Sequence, residues 1–330
     1  MLFYIIRRFL YMFIILLAVS IVAFVIIQLP PGDYLSSYIM RLESQGQRVT
    51  ESQVASLKKQ YGLNLPIYLQ YFKWMKDLLH GNFGRSFQWN KPVSELIGER
   101  LMLTVIISLC TLIFTYAVAI PIGIYSATHQ YSLGDYTFTI IGFAGLATPN
   151  FLFALLLMFM FYKYFSFNVG GLFSYQYQLE VWSWAKVVDL LKHLPIPIIV
   201  IGTAGTAGLV RVMRGCLLDE LRKQYVITAR AKGVAERTLL FKYPVKVAIN
   251  PIVSTIGWTL PGIVSGETIT AIVLSLPTTG PLLYGALMIQ DMYLAGSTVM
   301  FLSFLTVIGT FISDILLVLV DPRIRYERGA

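Results

Sequence analysis

The chain has 330 residues, 56% of them hydrophobic and 13% charged, with a mean hydropathy of +0.68 and a net charge of +9. Too little polar surface remains to clothe a water-soluble domain, which leaves an integral membrane protein. The positive balance follows from where the cations lie and asks for no nucleic acid.

A spanning helix takes roughly 20 mostly apolar residues, and six runs fit: 9–29, 101–128, 136–162, 194–210, 248–276 interrupted at Glu267, and 293–320 interrupted at Asp314. They show no strand alternation, which excludes a transmembrane barrel and predicts an all-α bundle. The domain plan is an N-terminal transmembrane helix over 1–29, an external segment over 30–100, and a five-helix core over 101–330 with a basic loop over 211–247. Ahead of the first run, Arg7-Arg8-Phe9-Leu10 is similar to the start of a twin-arginine or secretory signal. The apolar run is too long for a signal core and 28–31 make a poor cleavage site, so a retained anchor is expected.

The external segment shows helical spacing of Val54, Leu57 and Tyr61, then an aromatic-rich stripe from Ile67 and Tyr68 to Leu78 and Leu79, which predicts two short helices near the outer face. Whether they form a scaffold or a receptor-docking surface stays open. Gly142 and Gly145, and Gly202, Gly205 and Gly208 with Ala204 and Ala207, predict close helix packing. Pro121, Pro149 and Pro261 predict kinks. Pro195 and Pro197 sit at the entry of the fourth run, where a missing N–H costs little.

Arg7 and Arg8, the nine cations from Arg211 to Lys246, and Arg323, Arg325 and Arg328 fall on one side of a six-span chain. By the positive-inside rule that side is cytoplasmic, with both termini there. The external segment carries both signs, and loops beyond about 60 residues translocate regardless of charge.

Ionisable groups within spans are costly and therefore functional candidates. His193 and Asp314 lie near span ends and can reach the interface. Glu267 sits well inside an apolar run beside Gly266, Thr268 and Thr270, where it either lines a translocation path or anchors the structure. His80 and His129 read as loop residues. Cys110 and Cys216 lie at different depths and give no disulfide or metal spacing. The sequence contains no Gly-x-x-x-x-Gly-Lys-Ser/Thr phosphate loop, no His-Glu-x-x-His and no Gly-x-Ser-x-Gly element, so it shows no ATP site and no catalytic or metal-binding set of its own.

The basic insert carries the most specific signal. Thr228-Ala229-Arg230-Ala231-Lys232-Gly233, then Glu236-Arg237 and Asn250-Pro251, closely resembles the coupling loop of ABC importer permeases of the dipeptide, oligopeptide and nickel branch. Ile6-Arg7-Arg8-Phe9, Tyr61-Gly62-Leu63 with Pro66-Ile67, Gly81-Asn82-Phe83-Gly84-Arg85-Ser86, and Asp321-Pro322-Arg323-Ile324-Arg325-Tyr326 are similar, in order and spacing, to that branch's B-type permease. The chain departs from it at Ala271, aligned with a glutamate in many relatives, and at Leu276-Pro277-Thr278-Thr279-Gly280, where they carry Leu-Pro-Gly-x-Gly. Glu267 precedes Ala271 by one helical turn and is a candidate replacement.

The resemblance implies the type I ABC importer permease fold, with six transmembrane helices and cytoplasmic coupling helices in the prokaryotic inner membrane. It implies a homologous second permease, one or two ABC ATPase subunits that bind ATP and Mg, and an extracytoplasmic solute-binding protein. A helix ending near Lys232, a break at Gly233 and a short helix from Ala235 would sit in a groove of the ATPase. A lipid-held solvated loop is the alternative, against which Val226, Ile227, Leu239, Leu240 and Phe241 argue. Peptides are the expected cargo, then oligosaccharides, then nickel, last because the spans lack a His or Cys cluster. Two rivals are a non-transporting scaffold and a self-contained carrier, the latter disfavoured by the lack of internal repeats and buried proton-relay residues.

Overall fold

The computed structural model describes residues 2–28, 55–56, 64–86, 88–89, 91–166, 169–178, 180–266, 268–289 and 291–320. Among them the chain is helical, with one isolated antiparallel bridge between Arg85 and Pro92. Four helices are long and apolar enough to cross a membrane, or five if one sharply bent pair counts as a single span. A 23-residue helix, Pro244–Gly266, occupies part of the remaining expected run, and its side chains from 257 onward lie outside the described residues.

Contacts gather into two units, Met1–Thr104 with Thr278–Val307, and Val105–Pro277 with Ile308–Ala330. In the first, α1 (Leu2–Gln28) receives α2 (Ile67–Leu79), the second of the expected external helices. The Tyr71 and Ser20 hydroxyls hydrogen bond at 2.8 Å, and the Tyr71 and Trp74 rings pack on Phe24. Tertiary packing therefore takes part of the aromatic stripe assigned above to the membrane surface. Ile67, Tyr68, Phe72 and Leu79 remain exposed. Val54, Leu57 and Tyr61 fall on or beside residues outside the description.

After α2 the chain turns through Gly81 and Gly84, both at φ +76°. The Ser86 N–H then donates to the Lys91 carbonyl and the Val93 N–H to the Gly84 carbonyl. This places Ser86 against Asp291, which is fully buried. The Ser86 hydroxyl donates to Asp291 Oδ2 at 2.6 Å, while Asp291 Oδ1 accepts the Leu294 N–H at the start of the last helix, α13 (Met292–Val320). The Gly-Asn-Phe-Gly-Arg-Ser motif is thus the fitting that joins the segment ahead of α3 (Val93–Thr128) to the last helix. The core beside it is built from Val93 and Ile97 of α3, Leu282 and Ala286 of α12 (Thr279–Met288), and Leu294 and Ala295 of α13.

In the second unit α3 packs with α7 (Pro195–Leu221) and α10 (Pro244–Gly266). Ala119, Ala127, Leu209, Met213, Leu217, Val245, Ala248 and Ile252 form their shared core. The Tyr116 and Thr255 hydroxyls hydrogen bond across it at 2.7 Å. Small residues permit the close approach, as the glycine pattern foretold: a Cβ on Gly202 would stand 2.8 Å from Phe114, and one on Gly145 2.7 Å from Thr203. Gly208 differs, with nothing within 4 Å.

Two span boundaries change. The third run was read as one helix kinked at Pro149. It is instead two helices, α4 (Leu133–Ala147) and α5 (Asn150–Phe165), bent by 106°. Proline forces the preceding residue out of the helical region, and Thr148 sits extended at φ −91°, ψ 121°. The helix of the fourth run does not stop where its apolar stretch does, at Val210. It continues to Leu221, with Arg211 over the Phe143 ring and Arg214 donating to buried Asp135 at 3.0 Å.

Candidate functional site

Beyond α7 the backbone breaks at Arg222 and Lys223 and re-enters helix as α8 (Gln224–Ala231). Lys232 caps it, and Gly233 then takes φ +77°. The Gly233 N–H donates to the Arg230 carbonyl at 3.0 Å and the Val234 N–H to the Ala229 carbonyl at 3.3 Å. This is the Schellman arrangement, in which a left-handed residue just past the helix end satisfies two orphan carbonyls. Its usual apolar clasp is present as well, because Val234 packs against buried Val226, Ala229 and Leu239. The chain then starts α9 (Glu236–Lys242), which ends before Pro244.

All eight residues of the expected coupling set fall on this hairpin. Ala229 is buried between the helices, while Thr228, Arg230, Ala231, Lys232, Gly233, Glu236 and Arg237 face solvent. Arg230 and Glu236 clasp the two helices in a bidentate pair, Nε to Oε1 at 2.6 Å and Nη2 to Oε2 at 3.1 Å. The hydrogen bond from Arg230 holds the Glu236 carboxyl below its usual value, and the hydrogen bond to Glu236 raises Arg230. At the other end Tyr225 donates to Glu220. Burial first, and that bond second, push the phenol up to about 12, so it keeps its proton at neutral pH.

The apolar residues divide differently from expectation. All five were read as arguing against a solvated loop held by lipid. Val226 and Leu239 are fully buried in the hairpin's own small core, and Leu240 packs on the bundle core. Only Ile227 at 48% and Phe241 at 53% exposure remain for a partner, beside Tyr225 at 39%. A seven-residue and an eight-residue helix are far too short to hold in isolation, so the internal core and the ion pair are what make the element rigid.

Because Arg230 already has a partner within the chain, reversing its charge removes an internal clasp as well as any external contact. Arg230→Glu is expected to weaken attachment of the ATPase subunit that the resemblance implies, and Arg230→Glu with Glu236→Arg to recover it in a pull-down assay. No recovery in the swapped variant would show that Arg230 contacts the partner instead of holding the hairpin.

Glu267, the candidate path residue, lies outside the described residues. Ala271 is buried on α11 (Thr268–Val273). Asp314 lies in α13 with its side chain outside the description. His193, placed above at the start of a span, instead closes a separate helix, α6 (Trp184–His193), and is buried there with Nδ1 2.8 Å from the Asp189 carbonyl. A run of mixed residues before Pro195 concealed that helix, although Ser183 accepts the Lys186 N–H as its N-cap.

Around α6 stands a folded lobe that sequence reasoning passed over. Asp189 accepts both the N–H and the hydroxyl of Ser174 at 2.7 Å, and buried Lys186 lies over the Phe173 and Trp182 rings while donating to the Glu180 carbonyl at 2.6 Å. Burial pushes the Asp189 carboxyl up, but the Ser174 bonds and the nearby His193 and Lys192 more than offset it, leaving it below the usual range. Among the described residues no group of His, Cys, Asp and Glu could hold a metal ion.

Residues 119–326 match the family described as "Binding-protein-dependent transport system inner membrane component", and residues 1–110 match its N-terminal companion. The chain belongs to this permease family. It is 35% identical to the oligopeptide transport system permease protein AppB of Bacillus subtilis, over 98% of this chain and 99% of that one. It is 28% identical to the dipeptide transport system permease protein DppB of Alkalihalophilus pseudofirmus, over 99% of this chain and all of the relative. It is 27% identical to the nickel import system permease protein NikB of Staphylococcus aureus, over 98% and 92%. This permease is therefore a helical ABC importer subunit, and the hairpin lies inside the matched family region.

Proposed function

We propose that this permease forms half of the translocation pathway of an ATP-driven peptide importer, with oligosaccharides or nickel as the other cargoes of its family. The full-length similarity to an oligopeptide permease carries the reading. The rigid α8–α9 hairpin supports the coupling half of it. ATP and Mg bind in partner ATPase subunits. Closure of those subunits pushes on Ile227, Phe241 and the polar edge around Thr228 and Lys232, and a second, homologous permease completes the path. An extracytoplasmic receptor supplies the solute. Both termini and the hairpin lie on the cytoplasmic face, and the chain crosses the membrane six times. Glu267 faces the pathway or the partner permease, since a lone carboxylate in an apolar run is costly against lipid.

The test is reconstitution of the four-part assembly in liposomes, with mass spectrometry of what its receptor retains. Peptides on the receptor and peptide-dependent ATP hydrolysis are expected, with Glu267→Gln assembling normally but changing uptake. Transport by the permease alone would point to a carrier. Absence of nucleotide-dependent flux in the full assembly would point to a scaffold, and unchanged uptake in Glu267→Gln and Glu267→Ala would remove that residue from the path.

A further inference from the structure

Between α3, α4 and α7 lies a groove of about 420 Å³ that the transport reading does not use. Its walls are apolar, formed by Phe114, Ile141, Leu146, Ala207 and Val210 among others, and it ends at Arg211 and Arg214. We propose that it binds an anionic phospholipid, one acyl chain along the groove and the phosphate on Arg211.

Three observations select this occupant. The first is depth. In α7 the stretch from Pro195 to Val210 carries no charge and Arg211 is the first cation after it, so the arginines stand where an apolar span meets the headgroup layer. That depth is independent of which face is cytoplasmic.

The second is charge. Asp135 answers Arg214, whose Nε is buried with no acceptor, whereas among the described residues Arg211 has no carboxylate within ion-pair distance and rests on the Phe143 ring, 5.0 Å from its centre. Arg211 is thus an uncompensated cation at the polar end of an apolar trough, the complement of a phosphodiester with a hydrocarbon tail.

The third is a shortage of polar partners. Of the three wall threonines, Thr203 and Thr206 donate their hydroxyl protons to carbonyls of their own helix, Ile199 at 2.5 Å and Gly202 at 2.7 Å, which leaves Thr139 as the one hydroxyl donor available in the wall. A peptide backbone along these mostly apolar walls would leave most of its amides unpaired, at a cost an acyl chain does not incur. The groove also adjoins Ile140, Ile141 and Phe143, which are 67%, 61% and 56% exposed, so it opens onto an apolar outer surface.

The test uses the assembled complex in detergent, stripped of lipid and titrated with phosphatidylglycerol or phosphatidylcholine of identical chains, read by native mass spectrometry. Phosphatidylglycerol should bind more tightly. Arg211→Gln should weaken it about fivefold while leaving phosphatidylcholine unchanged, and Arg211→Lys should retain most of the preference. Equal binding of the two lipids to the wild type, or an unaltered preference in Arg211→Gln, would overturn the assignment. Displacement of the lipid by an acidic peptide would transfer the groove to the solute path. Binding to the isolated chain but not to the complex would transfer it to the subunit interface. Peptide transport could fail in the companion assay without altering any of these outcomes.

Discussion

Gly84→Ala is expected to destabilise the protein by about 2–4 kcal/mol, the largest effect of any single methyl group considered. Two costs add. The residue sits at φ +76°, which L side chains rarely adopt, and the new Cβ would stand 2.4 Å from Cδ1 and 2.9 Å from Cγ of Tyr293. Contact near the root of the ring leaves the tyrosine little room to swing aside. Tyr293 follows Asp291 closely, so the displacement would reach the buried bonds to Ser86 and Leu294. Gly81 is the control, since it shares the same φ but has nothing within 4 Å. Gly81→Ala should cost only the conformational part, about 1 kcal/mol. Thermal unfolding of the purified complex measures both, and equal losses in the two variants would show that the Tyr293 contact does not constrain the loop.

Gly233→Val is expected to leave the permease in the membrane with its partner and to uncouple ATP hydrolysis from transport. Here space is not the issue, because nothing lies within 4 Å of a Cβ at this position. The penalty is conformational. A residue at φ +77° costs roughly 1–2 kcal/mol for an ordinary side chain and more for a β-branched one. It falls on a hairpin held by a few small contacts, so the Schellman bonds to Arg230 and Ala229 would open while the spans stay folded. Gly233→Asn should retain most coupling, as asparagine tolerates the left-handed region. Substrate-stimulated ATPase activity at matched abundance is the readout. Wild-type stimulation in Gly233→Val would remove the turn from the coupling mechanism, and equal loss in the valine and asparagine variants would shift the cause from backbone conformation to the side chain itself.

The class of the protein and its long helices were legible from local chemistry, because a lipid environment imposes runs of apolar residues that composition alone reveals. The helix break at Gly233 was expected from the resemblance to the coupling loop, and the freedom of glycine at positive φ is the physical reason it can turn there. The surface proposed for coupling was only half legible. Sequence shows that Val226, Ile227, Leu239, Leu240 and Phe241 are apolar, but the folding of α8 on α9 decides that Val226 and Leu239 serve the hairpin itself and leaves Ile227 and Phe241 outside.

Charge placement shows the same division. Arg211 and Arg214 read as loop cations because each is costly in an apolar span. Asp135, remote in sequence, compensates Arg214, while Arg211 rests on the Phe143 face just past the apolar stretch, and α7 continues through both. His193 and Lys186 were hidden in the same way, since their partners Asp189, Ser174, Phe173 and Trp182 are assembled by a lobe with no apolar periodicity to announce it. What the sequence by itself determined was the membrane class, the helical fold and the permease family, all set by composition, period and motif along the chain. What only the tertiary structure decided was which polar groups are neutralised and which remain free. A charge is stable in a given place only if its counter-group arrives there, and that depends on contacts between distant segments.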